Sequence, residues 1–519
     1  MAYHYVASAQ PATMVRMALC CNLTGTSEAK DLVIAKKNTI EVRQLEDDGL
    51  ISIIDAPLNG RISAINAYRP PNEERDLLFV LTSRYYYCVL GYNPLTKSFV
   101  TRYRADASDK VGRPVEDGPK VTVDPGNRVI GMRIYDGLLK IVPASQGLKG
   151  AFNLRLDKLA VLDVQFLYEC IKPSVCILFI EDDTRIVETK VVDEREKCLA
   201  TATWCRKNVD PSTSRIIAVP RAGGALLVAE NSITYVNPDG DEQSIVMNRT
   251  LVTAYCGIGT EGGGDDKNFL RFLLGDAHGK LSILILQLME NRVVSMSVDS
   301  LGITSIPNSL CFLGKDMVFV GSTYGDAQLV RLLRERDENG DSVEVVQEYD
   351  NIGPITDMCV VDSGTQGQSH VVLCSGAFKD GSLRVVRAGI GIYEQASVEA
   401  PGIKGLWRLA AGSRFDKYLV QSFIGETRVL MIQGEEMGET EIDGFKDEQT
   451  LFCSDVACGC LLQVTSTGAR LVCATSLQLL SEYTCPDGHS SITVATAHGD
   501  KVVLALSGGK VVLLSVQDV

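Results

Sequence analysis

Three stretches of the 519-residue chain carry residue types that could do chemistry. Gly257, Gly259 and Gly262 in GIGTEG have the GxGxxG spacing with which a strand-to-helix turn wraps a dinucleotide pyrophosphate. That fingerprint needs a helix behind it, yet the sequence runs on through GGDDKN into another apolar run, which predicts an interstrand loop. Asp337 to Asp341, DENGD, has the acid-rich start of a calcium loop, but its glycine falls at the fourth position instead of the sixth. A solvated acidic loop is expected there. Cys453, Cys458 and Cys460 form the third stretch, with CxC in place of the paired CxxC spacing that a structural zinc site uses.

Nucleophilic and acid–base chemistry is equally thin. The five histidines stand at 4, 278, 370, 489 and 498, none beside a Ser or Cys in a nucleophile-elbow context. Asp-box strings that mark sialidase-like enzymes are missing, and only Trp204 and Trp407 supply indoles. The expectation is a chain with no catalytic site, no metal and no cofactor. Cys88, Cys176, Cys311, Cys359 and Cys374 sit inside apolar runs, where a thiol behaves as a small buried hydrophobe, so the sixteen cysteines read as thiols of a reducing compartment.

The elements that would have to position any site come next. Hydrophobic residues make up 45% and charged residues 22%, which fits a folded globular chain and excludes a disordered one. The longest apolar run, near Leu281 to Leu288, is far below the ~18 residues of a membrane-spanning helix. A net charge of −14 repels a phosphate backbone as a whole, so contact with DNA is expected only indirectly, through a partner.

One pattern recurs along the chain: an apolar run, a tight polar or Gly turn, and a second apolar run, which reads as an antiparallel hairpin. It starts at Asp31, Asp76, Ile130, Val175, Leu226, Leu273, Val318, Val372, Leu419, Leu461 and Val502, at steps of 41 to 54 residues. A shorter alternating segment precedes many of these hairpins, as Gly60, Ile62 and Ile65 precede Asp76. About four strands in a period of ~40–50 residues is the blade of a β-propeller. The turn glycines Gly137, Gly279, Gly325 and Gly381 are expected to supply positive φ.

The spacing therefore predicts an all-β chain: a seven-bladed β-propeller followed by the first blades of a second, incomplete propeller. Residues 1–350 are assigned to the first ring, 351–389 to a junction hairpin segment and 390–519 to the opening blades of the second. Closure of the first ring is expected from strands at both ends of the segment. Three or four blades cannot close a second ring, so the same spacing predicts a chain cut short.

Particular strings go further than fold class. DLVIAKKNTIEV, IGMRIYDGLLKIVP, AFNLRLDKLAVLDVQFLY, VFVGSTYGDAQLV, NIGPITDMCVVD and CSGAFKDGSLRVVRAGIGIYEQASVEAPGIKGLW closely resemble the family of the large subunit of the damage-specific DNA-binding protein. The resemblance covers nearly all of the chain. It implies a WD40-like scaffold of the nucleus and cytoplasm, the adaptor of cullin-4 RING ubiquitin ligases, with a role in DNA damage recognition and repair. It also implies two kinds of partner, WD40-type substrate receptors and cullin-4, the latter docking on a complete second propeller.

In such adaptors a cleft grips a short helix of the receptor. The positions that match its first-propeller wall are Tyr324 in STYGD, Pro354 and Ile355 in IGPIT, and Ala377 and Phe378 in SGAFK. An aromatic and apolar cluster among loop glycines suits the apolar face of a helix. Tyr324 departs from the family's usual leucine, and the region Thr13 to Ala29 departs as well. Two relatives of the same architecture are the large subunit of the cleavage and polyadenylation specificity factor and a subunit of splicing factor three-b. They would make the chain an RNA-processing scaffold instead.

Overall fold

The computed structural model describes residues 11–517 apart from 26–29, 47–48, 72, 110–111, 145–149, 159, 201–203, 259–267, 337–339, 363–368, 388–398, 414, 434–435 and 486–489. It is all-β: among the described residues the sole helical element is the 3-10 turn Phe378–Asp380. The chain divides into two compact units, Met1–Gly389 and Ile390–Val519.

Seven sheets of sequential antiparallel strands follow one another in the first unit, over residues 17–57, 62–106, 120–155, 161–209, 215–246, 252–303 and 307–349. Each hairpin read from the sequence supplies the second and third strands of one sheet; Asp31–Ala35 pairs with Thr39–Glu46, for example. The second strands are mostly apolar because they are covered on both faces, as in Asp31–Ala35 and Met317–Ser322, where every residue is buried. Fourth strands such as Ser98–Asp106 lie at the rim and are mostly polar and exposed. In the fourth blade the rim strand is interrupted, and Cys198–Leu199 and Trp204–Val209 both pair with Thr184–Asp193.

The sheets are blades of a closed ring. Seven apolar seams occur, one between each blade and the next, and the seventh joins the last blade back to the first through Val15, Leu32, Ile34, Phe319 and Leu329. Closure differs from the expectation in its means. Among the described residues no blade mixes strands from the two ends of the segment, and the seam closes by side-chain packing and hydrogen bonds. Met17–Cys21, in the stretch that departs from the family, pairs with Asp31–Ala35 as the first strand of the first blade.

Buried carboxylates fasten the blades, one across the seams and one within a blade. Asp163, in the fourth blade, accepts from the Lys120 ammonium of the third blade and from the Ile216 N–H of the fifth at 2.8 Å. Asp31 is fully buried and accepts from the Leu23 and Thr24 N–H groups at 2.8 and 2.7 Å and from the Gln44 amide at 2.6 Å. Such a charge is tolerable inside because its lone pairs are occupied.

Residues 355–387 form a separate three-stranded sheet within the first unit, built from Ile355–Asp362, Ser369–Ser375 and Ser382–Arg387. Every residue of Ile355–Asp362 is exposed. Cys359 and Cys374, expected to be buried, are exposed for this reason, whereas Cys176 and Cys311 lie in covered blades and are buried. Gly137 and Gly279 take the expected positive φ of 71° and 77°. Gly381 does not, with φ −65°, and Gly325 is required by close packing instead, since a Cβ there would lie 2.6 Å from that of Asp380.

The second unit holds sheets over residues 405–440, 450–484 and 492–515, with apolar seams between the first and second and between the second and third. Val494, Val511 and Leu513 of its last sheet are exposed.

Candidate functional site

The residues singled out from the sequence come from three separate loops. Tyr324 lies in the turn between Met317–Ser322 and Ala327–Leu332 of the seventh blade; Pro354 precedes and Ile355 begins the strand Ile355–Asp362; Ala377 and Phe378 open the turn between Ser369–Ser375 and Ser382–Arg387. Backbone hydrogen bonds tie the loops together. The Ala377 N–H donates to the Tyr324 carbonyl at 3.1 Å and the Gly376 N–H to the Pro354 carbonyl at 2.9 Å.

Gly376 makes this junction possible. Its φ is +77°, and a Cβ would stand 2.4 Å from the Tyr324 carbonyl oxygen and 2.6 Å from that of Asp380. Any side chain there would force the two loops apart.

The structure thus brings all five residues into one cluster. The Tyr324 and Phe378 rings meet edge to face, centroids 5.3 Å apart at 87°, a contact worth ~0.5–1.5 kcal/mol beyond buried area. Phe378 is nonetheless 80% exposed, Ile355 48% and Tyr324 38%. A groove of about 820 Å³ runs from Ile355 past Gly353 to Met14 and Thr13, with Lys37 and Arg61 also lining it.

Polar anchors that the sequence reading missed hold these loops. Asp380 accepts from the Ile306 N–H at 2.7 Å, and the Lys379 ammonium donates to the Thr304 carbonyl. Arg384 donates to both oxygens of Asp326 at 2.6 Å and to Asp350 at 3.2 Å, and the Asp326 bonds raise the guanidinium pKa further. Buried Asn351 donates to the Gly325 carbonyl at 3.0 Å and accepts from the Thr13 hydroxyl at 3.1 Å. The signal was present in the strings themselves, since AFKDGSLR places Lys379, Asp380 and Arg384 within seven residues of Ala377.

The stretches with tempting chemistry do not assemble into a second site. Gly257 is the penultimate residue of the strand Val252–Ile258, Gly259 and Gly262 lie outside the described residues, and the next described element is the strand Phe269–Asp276, not a helix. Asp337 also lies outside them, and Glu348, twelfth from it, sits in the strand Val343–Tyr349 and accepts from Gln328 at 2.8 Å. His278 lies in the turn between Phe269–Asp276 and Lys280–Met289, His370 and His498 lie in strands of two further sheets, and His4 and His489 lie outside the described residues. Of the cysteine trio, Cys453 and Cys460 are buried and Cys458 is exposed. Among the described residues no helix is long and apolar enough to cross a membrane.

Comparison with known proteins gives this scaffold its relatives. The family model described as the RSE1/DDB1/CPSF1 first beta-propeller matches residues 14–350, and the one described as the RSE1/DDB1/CPSF1 second beta-propeller matches residues 392–519. DNA damage-binding protein 1 of Oryza sativa subsp. japonica is 43% identical over 99% of the chain and 47% of its own length. DNA damage-binding protein 1b of Arabidopsis thaliana is 42% identical, and DNA damage-binding protein 1 of Solanum lycopersicum 43%, each with the same coverage. The chain spans about half the length of the curated relatives it matches.

Proposed function

The chain belongs to the RSE1/DDB1/CPSF1 propeller family, and from that premise we propose that it is a non-catalytic protein–protein scaffold, an adaptor that presents substrate receptors to a cullin-4 RING ubiquitin ligase. The observation that carries this reading is the exposed Tyr324–Phe378 pair beside Ile355, pinned from beneath by Asp380, Lys379 and Arg384. Aromatic side chains that are exposed yet held rigid offer contact area at low entropic cost, the mark of an anchor for a partner.

The occupant proposed is a short amphipathic helix of a WD40-type receptor. Its apolar face would meet Tyr324, Pro354, Ile355, Ala377 and Phe378, and acidic residues on its flank would suit Lys37 and Arg61 in the adjoining groove. Tyr324 in place of leucine makes this wall bulkier and gives it a hydroxyl. The scaffold would act in DNA damage recognition and repair in nucleus and cytoplasm, reaching DNA through a partner subunit, as a net charge of −14 favours. Cullin-4 would dock only on a complete second propeller, of which this chain supplies the opening blades.

The test is a pull-down from nuclear extract with the full chain and its Phe378→Asp variant. Recovery of WD40 receptors is expected, with receptor yield at least tenfold lower for the variant and a melting temperature lowered by no more than about 2 °C, because Phe378 is 80% exposed and loses only its edge-to-face contact with Tyr324. Recovery of polyadenylation or spliceosomal subunits instead would favour the RNA-processing reading, and an unchanged receptor yield would remove Phe378 from the site.

A further inference from the structure

The second unit carries two thiols placed for reversible oxidation. Cys460 opens the strand Cys460–Thr465, Cys473 ends the strand Gly468–Cys473, and the hairpin register sets them directly opposite each other. Both are thiols in this structure. One position further out, the Ala474 N–H donates to the Gly459 carbonyl at 3.0 Å, so Gly459 and Ala474 are a hydrogen-bonded pair. The Cys473 N–H and carbonyl instead turn away, to the Gln478 carbonyl at 3.0 Å and the Leu477 N–H at 2.9 Å.

Cys460 and Cys473 are therefore a non-hydrogen-bonded pair. In such pairs the Cα atoms stand ~4.5 Å apart and the side chains converge on one face. A disulfide spans Cα separations of ~4.4–6.8 Å, so the bridge can form without moving the backbone.

The two thiols differ in a way that assigns their order of reaction. Cys460 is 6% exposed, with its thiol 3.4 Å from the Cys458 carbonyl. Cys473 is half-buried at the end of its strand, its sulfur 3.2 Å from the Thr475 hydroxyl. Hydrogen bonds from Ser476 and Thr475, side chains first and backbone N–H groups second, pull its pKa down to about 6 and favour the thiolate, the form that peroxides oxidise.

We propose that Cys460 and Cys473 are a redox modification site, in which a peroxide oxidises Cys473 and Cys460 resolves the product as a cross-strand disulfide. The Cys473 thiolate attacks one oxygen of hydrogen peroxide, the O–O bond breaks, and the departing hydroxide takes up a proton to become water. Sulfur has lost two electrons and stands as a sulfenic acid. The Cys460 sulfur attacks it, the S–S bond forms as the S–O bond breaks, and a second water leaves with the Cys460 proton. Two thiols and one hydrogen peroxide give one disulfide and two waters, and a dithiol reductant restores the pair.

The experiment treats the full chain with one equivalent of hydrogen peroxide, alkylates it in denaturant and maps tryptic peptides without reduction. Cleavage after Arg470 separates the two cysteines, so the bridge is read as two joined peptides lacking two hydrogens, and fragmentation assigns the linked residues because the first peptide also holds Cys453 and Cys458 and the second Cys485. That product is expected as the first disulfide formed, lost on adding dithiothreitol. Cys460→Ser should melt a few degrees lower, since a hydroxyl replaces a buried thiol, and leave a sulfenic acid at Cys473 that dimedone traps; Cys473→Ser should slow the first oxidation at least fivefold. The proposal is overturned if Cys460 is alkylated as fully after peroxide as before, if exposed Cys458 forms the first bridge, or if Cys460→Ser yields no dimedone adduct at Cys473.

Discussion

Two strands with similar sequences meet opposite fates in this molecule. Met317–Ser322, MVFVGS, and Ser369–Ser375, SHVVLCS, are both middle strands of an antiparallel sheet. The first is buried at every position, with the sixth blade on one side and the first blade on the other. The second is only partly covered, and its sheet exposes Met358, Val360, Leu383 and Val385. Burial is thus conferred by the neighbouring blades, not by the strand. The ring is held by apolar seams, whereas the polar contacts of Lys379, Asp380 and Arg384 fasten the three-stranded sheet to it.

That contrast can be broken most forcefully by truncation to alanine on each side of it. Phe319→Ala, at a position 1% exposed in the closing seam, is expected to cost ~3–5 kcal/mol in urea denaturation of the full chain. Met358→Ala, at 64% exposure in the three-stranded sheet, should stay within ~0.5 kcal/mol. Similar losses at both positions would show that the sheet is covered in solution.

A smaller, local effect sharpens the comparison. Arg384→Met removes the paired bonds to Asp326 and should release the sheet by ~1.5–3 kcal/mol. Hydrogen exchange is the measurement: amides of Ser369–Ser375 should exchange at least tenfold faster while those of Met317–Ser322 keep their rates. The smallest effect is expected from Leu383→Ser, 75% exposed, which should shift the melting temperature by less than about 1 °C yet lower binding of a hydrophobic dye.

The ring was legible in the sequence because middle strands buried on both faces must be near-continuous apolar runs, and these recur at blade spacing. Rim strands such as Glu242–Val246 carry no comparable signal, being exposed and polar. Cys359 and Cys374 misled for the converse reason: their apolar runs announce strands but say nothing of what lies against them. Tyr324, Pro354, Ile355, Ala377 and Phe378 could be named from the strings that contain them, but their convergence could not, since it depends on bonds such as Asp380 to Ile306, 74 residues apart. Gly325 shows the same limit, because its need is set by Asp380 across the cluster and not by its own turn.

The closing seam has a consequence for how the molecule comes together. Six of the seven seams join blades that are neighbours in the chain, about one blade length apart. The seventh joins segments some 300 residues apart: Thr13 to Asn351, Val15 to Thr323 and Cys20 to Phe312, at separations of 338, 308 and 292 residues. Loop-closure entropy grows with the logarithm of length, so shutting this seam costs roughly 1.6 kcal/mol more than joining adjacent blades. The hydrogen bonds crossing it, Thr13 to Asn351 at 3.1 Å, the Ile352 N–H to Thr13 at 3.0 Å and Thr323 to the Val15 carbonyl at 3.2 Å, offset that excess at the place where it arises. With no strand shared across it among the described residues, this seam is the natural last step of assembly, and a pull on the two ends of the ring opens it before any other.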